Sequence, residues 1–504
     1  MKEMKEKLSA LKQRLTEAYD IQSAASLLHW DQTTYMPPGG VEARGRQLAV
    51  LERLAHQKFT DPEIGRLLDQ LRVYEANLPY DADQASFIRV ARRDYERRTS
   101  VPADFMAEFS NHSTRSYQQW TVARPDNDFA SVIPHLEKTL ELSRQLADFF
   151  PGYSHIADPL IDFNDPGMKA ASIRQIFSRL RQQLVPLVET ITSQPAVDDS
   201  CLHAEFPEDQ QIAFGKTVIE EFGYDFDRGR QDKTYHPFMT KFSLGDVRIT
   251  TRSKPNDLSE ALFSTTHEAG HALYEQGINR DYEASPLGTG TSSGVHESQS
   301  RLWENIVGRS KIFWDHFFPK LQSTFPQQLQ GASAGEFYRA INKVQRSLIR
   351  TDADEVTYNL HVMIRFDLEL EMLEGHLPIK DLPEAWNERY RSDLGLVPPD
   401  DINGVLQDVH WFHGTIGGSF QGYTLGNILG AQFFETALTE QPTIEAGIAA
   451  GQFDTLHQWL AKNIYQHGSK FTPDELVQRV TGHELTIDPY LRYLRTKYGQ
   501  LYDL

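Results

Sequence analysis

Residues 257–277 read DLSEALFSTTHEAGHALYEQG. Asp257 and Glu260 supply a helix start, Leu258, Ala261, Leu262, Ala269, Ala272 and Leu273 fall on one apolar face, and Gly277 ends the run. Inside this helix lies His267-Glu268-Ala269-Gly270-His271. Histidines at i and i+4 stand one turn apart on the same face, so both imidazoles reach a single ion at about 2.0–2.1 Å, the distance zinc requires. Glu268 is rotated by roughly 100° from His267 and falls beside the open coordination position, placed to take a proton from an activated water.

With 18 histidines in 504 residues, this pattern arises by chance in roughly one such chain in twenty, so a second observation is needed. It comes some thirty residues on, where Gly294-Val295-His296-Glu297-Ser298-Gln299-Ser300 opens another amphipathic segment carrying Leu302, Trp303, Ile306 and Val307. Glu297 completes a two-histidine, one-carboxylate set with a fourth position free, the arrangement of catalytic rather than structural zinc. His296 is a rival ligand. Neighbours on a helix point about 100° apart, so only one of the two faces the ion, and the stretch alone does not say which.

Outward from this centre the chain is mainly α. Helical periodicity recurs over 41–57, 82–98, 102–121, 127–150, 169–193, 207–222, 296–318, 333–350, 353–374, 423–438, 453–465 and 487–500. Met4, Leu8, Leu11, Leu15, Ala18 and Ala25 draw the apolar stripe of a long N-terminal helix packed on the body of the protein. Residues 194–206 read as a surface loop. Met239 to Arg252 breaks the pattern: Phe242 and Leu244, then Val247 and Ile249, alternate around Gly245-Asp246, a two-residue hairpin turn directly before the motif helix. No repeat of fixed period and no low-complexity tract is present.

Fifty-one Lys and Arg against 70 Asp and Glu leave a net charge of −19, which disfavours nucleic acid and anionic lipid as partners. Cys201 is the single cysteine, which excludes an intrachain disulfide and a cysteine metal cluster, and it reads as an inert thiol. The first twenty residues have no apolar signal core, and no apolar run approaches the roughly 18 residues of a membrane span. The expectation is a cytoplasmic protein.

Taken together, HEAGH at 267–271 and HESQ at 296–299 resemble the zinc motifs of the M32 family of metallocarboxypeptidases. His236-Pro237-Phe238 resembles the family's HPF element, Asp246-Val247-Arg248-Ile249-Thr250 its DxRxT element, IRTDADEVTY at 349–358 its IRTxADExxY element and GVLQDVHW at 404–411 its GxxQDxHW element. WDQTTYMP at 30–37 is similar to a further stretch, so the resemblance spans essentially the whole chain. It implies a large, deeply clefted helical fold of the neurolysin type, related to the angiotensin-converting enzymes. It also implies a single peptidase domain over 1–504 with two helical lobes flanking the cleft, and a homodimer. Glu297 becomes the third ligand and Glu268 the catalytic base, with one divalent ion per chain, zinc or in some members cobalt.

Further polar residues join this picture. Arg350 precedes Asp352, Asp354 and Glu355, and the resemblance places it in the substrate cleft, where a guanidinium binds a terminal carboxylate bidentately. A salt bridge to one of those acids is its structural alternative. Arg248 shares a strand face with Asp246, as an ordering residue for the site or as a plain ion pair. His236 enters the substrate-binding set with its motif. The glycine-rich segment 410–423 reads as a mobile loop whose His410 and Tyr423 donate to a tetrahedral oxyanion, or as a turn with packed aromatics. The reading is a metal-dependent carboxypeptidase acting on peptides with a free C-terminus. The alternatives are an oligoendopeptidase of the same zinc-helix class and, from another class, a helical peptide-binding scaffold with a structural metal.

Overall fold

Apolar residues at helical spacing build an N-terminal layer first. The computed structural model describes residues 2–504, beginning with α1 (Lys2–Thr34), α2 (Val41–Phe59), α3 (Pro62–Ala76) and α4 (Asp83–Ser100). Leu8, Leu11, Leu15 and Ala18 of α1 bury against Ile64, Leu67 and Leu71 of α3 and Phe87, Ile88 and Ala91 of α4. This is the packing expected of the N-terminal stripe. Leu244, Ile278, Tyr282 and Leu287 join the same cluster, which fastens the layer to the segments flanking the motif helix. A second, larger core runs through the rest of the chain.

Three short strands sit beside the motif helix. β1 (Gln231–Lys233) pairs parallel to β3 (Asp246–Thr251), and β2 (Met239–Ser243) pairs antiparallel on its other side. The hairpin is as expected, but its turn is displaced by one residue: Ser243 pairs with Asp246, so Leu244-Gly245 forms the loop, and the register shifts between Lys241 and Ser243. Burial of Leu244, 2% exposed in the N-terminal core, accounts for the shift. β1 has no alternation long enough to announce it in the sequence.

The motif helix covers Leu258–Gly277, with the Asp257 side chain accepting the Ser259 N–H at its start. The helix expected over 296–318 is interrupted. An α-helix runs Ser293–Arg301, a π-helical turn follows over Leu302–Val307, and a new helix begins at Lys311 after Gly308. The 333–350 helix stops at Ile341 and the next spans Tyr358–Glu374, since the Asp354 carboxylate binds the N–H groups of Val356 and Thr357 and starts that helix late. Residues 194–206 form a surface loop as expected, with Gln194, Pro195, Ala196, Asp198, Ser200, His203 and Glu205 exposed, anchored by the buried Val197, Leu202 and Phe206, the last edge-on against Phe325. Cys201 is half-buried, its thiol pushed up to about 11 by burial, as suits an inert group. Among the described residues, no helix is long and apolar enough to cross a membrane.

Two close helix approaches position the site. A Cβ on Gly270, inside the histidine motif, would lie 2.6 Å from the Gln299 carbonyl oxygen and the Ser300 Cα, so only glycine lets the motif helix meet the Ser293–Arg301 helix there. From the other side the helix Gln421–Glu440 presents Gly426 to Glu297, whose Cγ and Cβ would stand 2.5 and 2.6 Å from an added methyl. The segment bearing Glu297 is thus clamped between two glycine contacts.

Candidate active site

The motif helix delivers His267 and His271 to one face, and the Ser293–Arg301 helix delivers Glu297 opposite them. Glu297 Oε2 lies 3.8 Å from His267 Nε2 and 3.5 Å from His271 Nε2. Ligand atoms of the three residues lie within 4.8 Å of one another. Tetrahedral ligands about 2.0–2.2 Å from a common ion stand roughly 3.3–3.6 Å apart, so the trio fits a divalent metal with little adjustment.

The outer nitrogens explain why the inner ones face inward. His267 Nδ1 is 2.9 Å from Glu304 Oε2, and His271 Nδ1 is 2.6 Å from His296 Nδ1. With both Nδ1 atoms engaged, both Nε2 lone pairs are left for an ion. The rivalry between Glu297 and His296 is thereby resolved: Glu297 faces the trio, while His296 stands behind His271 and turns its Nε2 to Glu275 at 2.9 Å.

Charge is arranged accordingly. Burial opposes ionisation of Glu297, but Arg301, at 2.7 Å, and the two imidazoles hold its carboxyl well below the usual range. Glu304 is brought down to about 2 against the same burial by Arg301, His267 and Arg309. His271 is lowered to about 4, chiefly by burial and also by its histidine neighbours, and so stays a neutral donor of lone pairs. Glu268, 8% exposed, behaves oppositely: burial, helped by Glu297 and Glu304, pushes its carboxyl up to about 7 against the opposing pull of His267 and of the nearby Met239 N–H on β2. A carboxyl poised near neutrality beside a metal-fitting trio is suited to general acid–base work.

His267 of the trio and Glu268 open on a cleft of about 650 Å3 whose wall also includes Arg301, Glu304, Arg350 and Tyr358. Arg350 is 8% exposed. Its partner is none of the neighbouring acids but Asp408, bound at 3.2 and 3.0 Å through Nε and Nη2, while Nη1 donates to the Tyr358 hydroxyl at 3.2 Å. Arg365, fully buried, binds the same Asp408 and also Gln407. Two guanidiniums therefore share one carboxylate, and the nearby Glu369 carboxyl is pushed up to about 8 by burial and remains protonated at neutral pH. The cluster carries excess positive charge at the cleft wall, an electrostatic socket for an anion.

Comparison with known proteins decides the family. The model of the carboxypeptidase Taq (M32) metallopeptidases matches residues 10–498. The chain belongs to the M32 metallocarboxypeptidase family. It is 42% identical over 492 residues to thermostable carboxypeptidase 1 of Thermus thermophilus, covering 95% of this chain and 96% of that one. The crystal structure of the M32 carboxypeptidase from Deinococcus radiodurans superposes with a TM-score of 0.96 at 50% identity, covering 99% of this chain and 100% of that one. Metallocarboxypeptidase 1 of Trypanosoma cruzi aligns with a TM-score of 0.93 at 32% identity, over 98% and 99% of the two chains. The protein is thus a peptide hydrolase of the M32 family, and the family implies a divalent metal.

Within this M32 chain the remaining sequence candidates divide. Tyr423 and His410 are drawn to the cluster: the Arg350 guanidinium lies 5.4 Å from the Tyr423 ring, and His410 Nδ1 lies 3.3 Å from Asp408 Oδ1. Burial pushes the Tyr423 hydroxyl up to about 12, which keeps it a donor. The segment 410–423 is packed, with Trp411, Phe412, Ile416 and Phe420 buried, the packed-aromatic alternative of its two readings. Arg248 is not brought to the trio. It pairs with Asp246 at 2.8 and 2.7 Å and stacks over Trp30 at 4.4 Å, because strand alternation turns Val247 and Ile249 to the core and Arg248 to α1. His236 is exposed beside Tyr235, three residues before Met239, whose N–H lies near Glu268. Sequence reasoning missed Arg301, Glu304, Asp408 and Arg365. Arg301 and Glu304 lie at i+4 and i+7 from Glu297, a spacing that signals a shared face. Asp408 is the acid of the GVLQDVHW element, which gave it no role by itself, and Arg365 carries no local signal.

Proposed function

We propose that this metallocarboxypeptidase releases single residues from peptide C-termini with His267, His271 and Glu297 holding one divalent ion, zinc in preference to cobalt. It acts as a cytoplasmic homodimer of single peptidase domains. The observation that carries the site assignment is that His267 of the metal-fitting trio, Glu268 and Arg350 line one cleft.

An ion held by the trio supplies Lewis-acid polarisation of a carbonyl and of water. This chain's own groups do the rest. The Glu268 carboxylate accepts a proton from the attacking water and returns it to the leaving amine, a role suited to its raised pKa. Arg350, held in place by Asp408 and Tyr358, receives the terminal carboxylate through its remaining N–H groups. Tyr423 and His410 donate hydrogen bonds to the oxyanion of the tetrahedral intermediate. The buried cationic cluster on the cleft wall favours an exopeptidase over an endopeptidase, which has no chain end to neutralise it.

Metal analysis of extensively dialysed protein tests the assignment, with turnover assayed before and after chelation. One bound ion per chain and activity lost on its removal are expected. Full turnover without metal refutes it.

A further inference from the structure

Lys241, Glu275 and His296 lie outside the ligand trio, yet they form an unbroken hydrogen-bonded chain onto one of its members. Lys241 on β2 places Nζ 2.5 Å from Glu275 Oε2. Glu275 Oε1 is 2.9 Å from His296 Nε2, and His296 Nδ1 is 2.6 Å from His271 Nδ1. Glu275 is 2% exposed, so no bulk water competes for it.

The chemistry of the groups gives this chain a single direction. An ammonium only donates, and an ionised carboxylate only accepts. Glu275 takes Lys241 on one oxygen; on the other it takes the Gly290 N–H at 3.0 Å and the Thr289 hydroxyl at 3.3 Å. His296 Nε2 must then carry a hydrogen, and the 2.6 Å contact between the two Nδ1 atoms has room for one hydrogen, which a His271 that offers its Nε2 lone pair to an ion supplies. His271 Nδ1 therefore donates to His296 Nδ1, and the His271 lone pair lies on Nε2, the atom aimed at Glu297. Lys241 also donates to the Gly288 carbonyl oxygen, which ties the relay to the loop entering the Ser293–Arg301 helix. His267 is oriented separately, by Glu304 with Arg301 and Arg309.

We infer that Lys241, Glu275 and His296 are positioning residues that fix the tautomer and ring orientation of His271 and thereby set how tightly the catalytic ion is held. The inference rests on the metal-site reading above. Outer hydrogen-bond partners of ligating histidines contribute about 10–100-fold in metal affinity, and here that contribution is routed through a second imidazole instead of directly from a carboxylate.

The test measures Zn2+ dissociation constants by chelator competition, and visible spectra of the Co2+-loaded protein, for wild type, Glu275→Gln, His296→Gln, the double variant and Lys241→Arg. Both single variants are expected to bind Zn2+ about 10–100-fold more weakly and to shift the cobalt spectrum. The double variant should bind no more weakly than His296→Gln, because Glu275 acts only through His296. Lys241→Arg should retain wild-type affinity. Glu275→Gln is nearly isosteric and serves if His296→Gln loses its helical circular dichroism. Wild-type affinity in either single variant, or additive losses in the double, overturns the relay and leaves the metal site standing. A wild type that binds no ion overturns the metal-site reading and the relay with it.

Discussion

Replacing Arg350 by alanine separates recognition of a chain end from support of the fold. Arg350 shares Asp408 with Arg365, so the substitution leaves Asp408 paired and removes the guanidinium that faces the cleft. Arg365 cannot take over, since its Nη1 and Nη2 are committed to the His361 carbonyl and to Gln407. A charge-assisted hydrogen bond to the terminal carboxylate contributes about 1.5–3 kcal/mol. That corresponds to a loss of roughly ten- to 150-fold in kcat/KM on free peptides, at about 1.36 kcal/mol per decade. Amidated peptides lack the charge and should be poor substrates of the wild type, losing far less on substitution. The assay is a two-by-two comparison of both enzymes on matched free and amidated peptides, treated as a double-mutant cycle, with thermal melting to follow the fold. Equal losses on the two substrates would reassign Arg350 to a structural ion pair with Asp408. Efficient internal cleavage of the amidated peptide would instead restore the endopeptidase reading.

Three further outcomes follow from the same geometry. Glu268→Gln should keep the ion and lose about 10²–10⁴-fold in kcat; loss of metal by this variant would show Glu268 to be a ligand. Gly426→Ala puts a methyl 2.5 Å from Glu297 Cγ, and should cost about 1–3 kcal/mol in stability together with metal affinity; unchanged affinity would show that the clamp does not position Glu297. Glu369 has a folded-state pKa near 8, raised by burial despite the Trp411 N–H it accepts, against an unfolded value near 4.5. Between these values the unfolded chain binds fewer protons, so the stability this group contributes is fully present below pH ~4.5 and is lost as pH rises through ~8. Melting of wild type and Glu369→Gln from pH 5 to 8.5 should show the variant gaining on the wild type as pH rises, and a constant gap would refute the assignment.

Local periodicity and chemistry made much of this protein legible before any fold was known. The i, i+4 spacing of His267 and His271, the cap at Asp257 and the stripe of α1 depend only on the geometry of one helix, so residues within a turn or two of one another suffice to state them. Motif resemblance extended this to the family and to Arg350. Tertiary packing decided what lies beyond one element. Glu297 rather than His296 faces the trio because Gly270 and Gly426 allow three helices to approach at that point. Arg350 meets Asp408, 58 residues away, instead of the acids beside it, and Arg248 turns to Trp30 and away from the metal trio. The π-helical turn after Arg301 and the one-residue shift of the hairpin turn likewise answer to burial across elements. Hydrogen-bond partners tens of residues apart are selected by which surfaces pack together, and no period within a single segment encodes that choice.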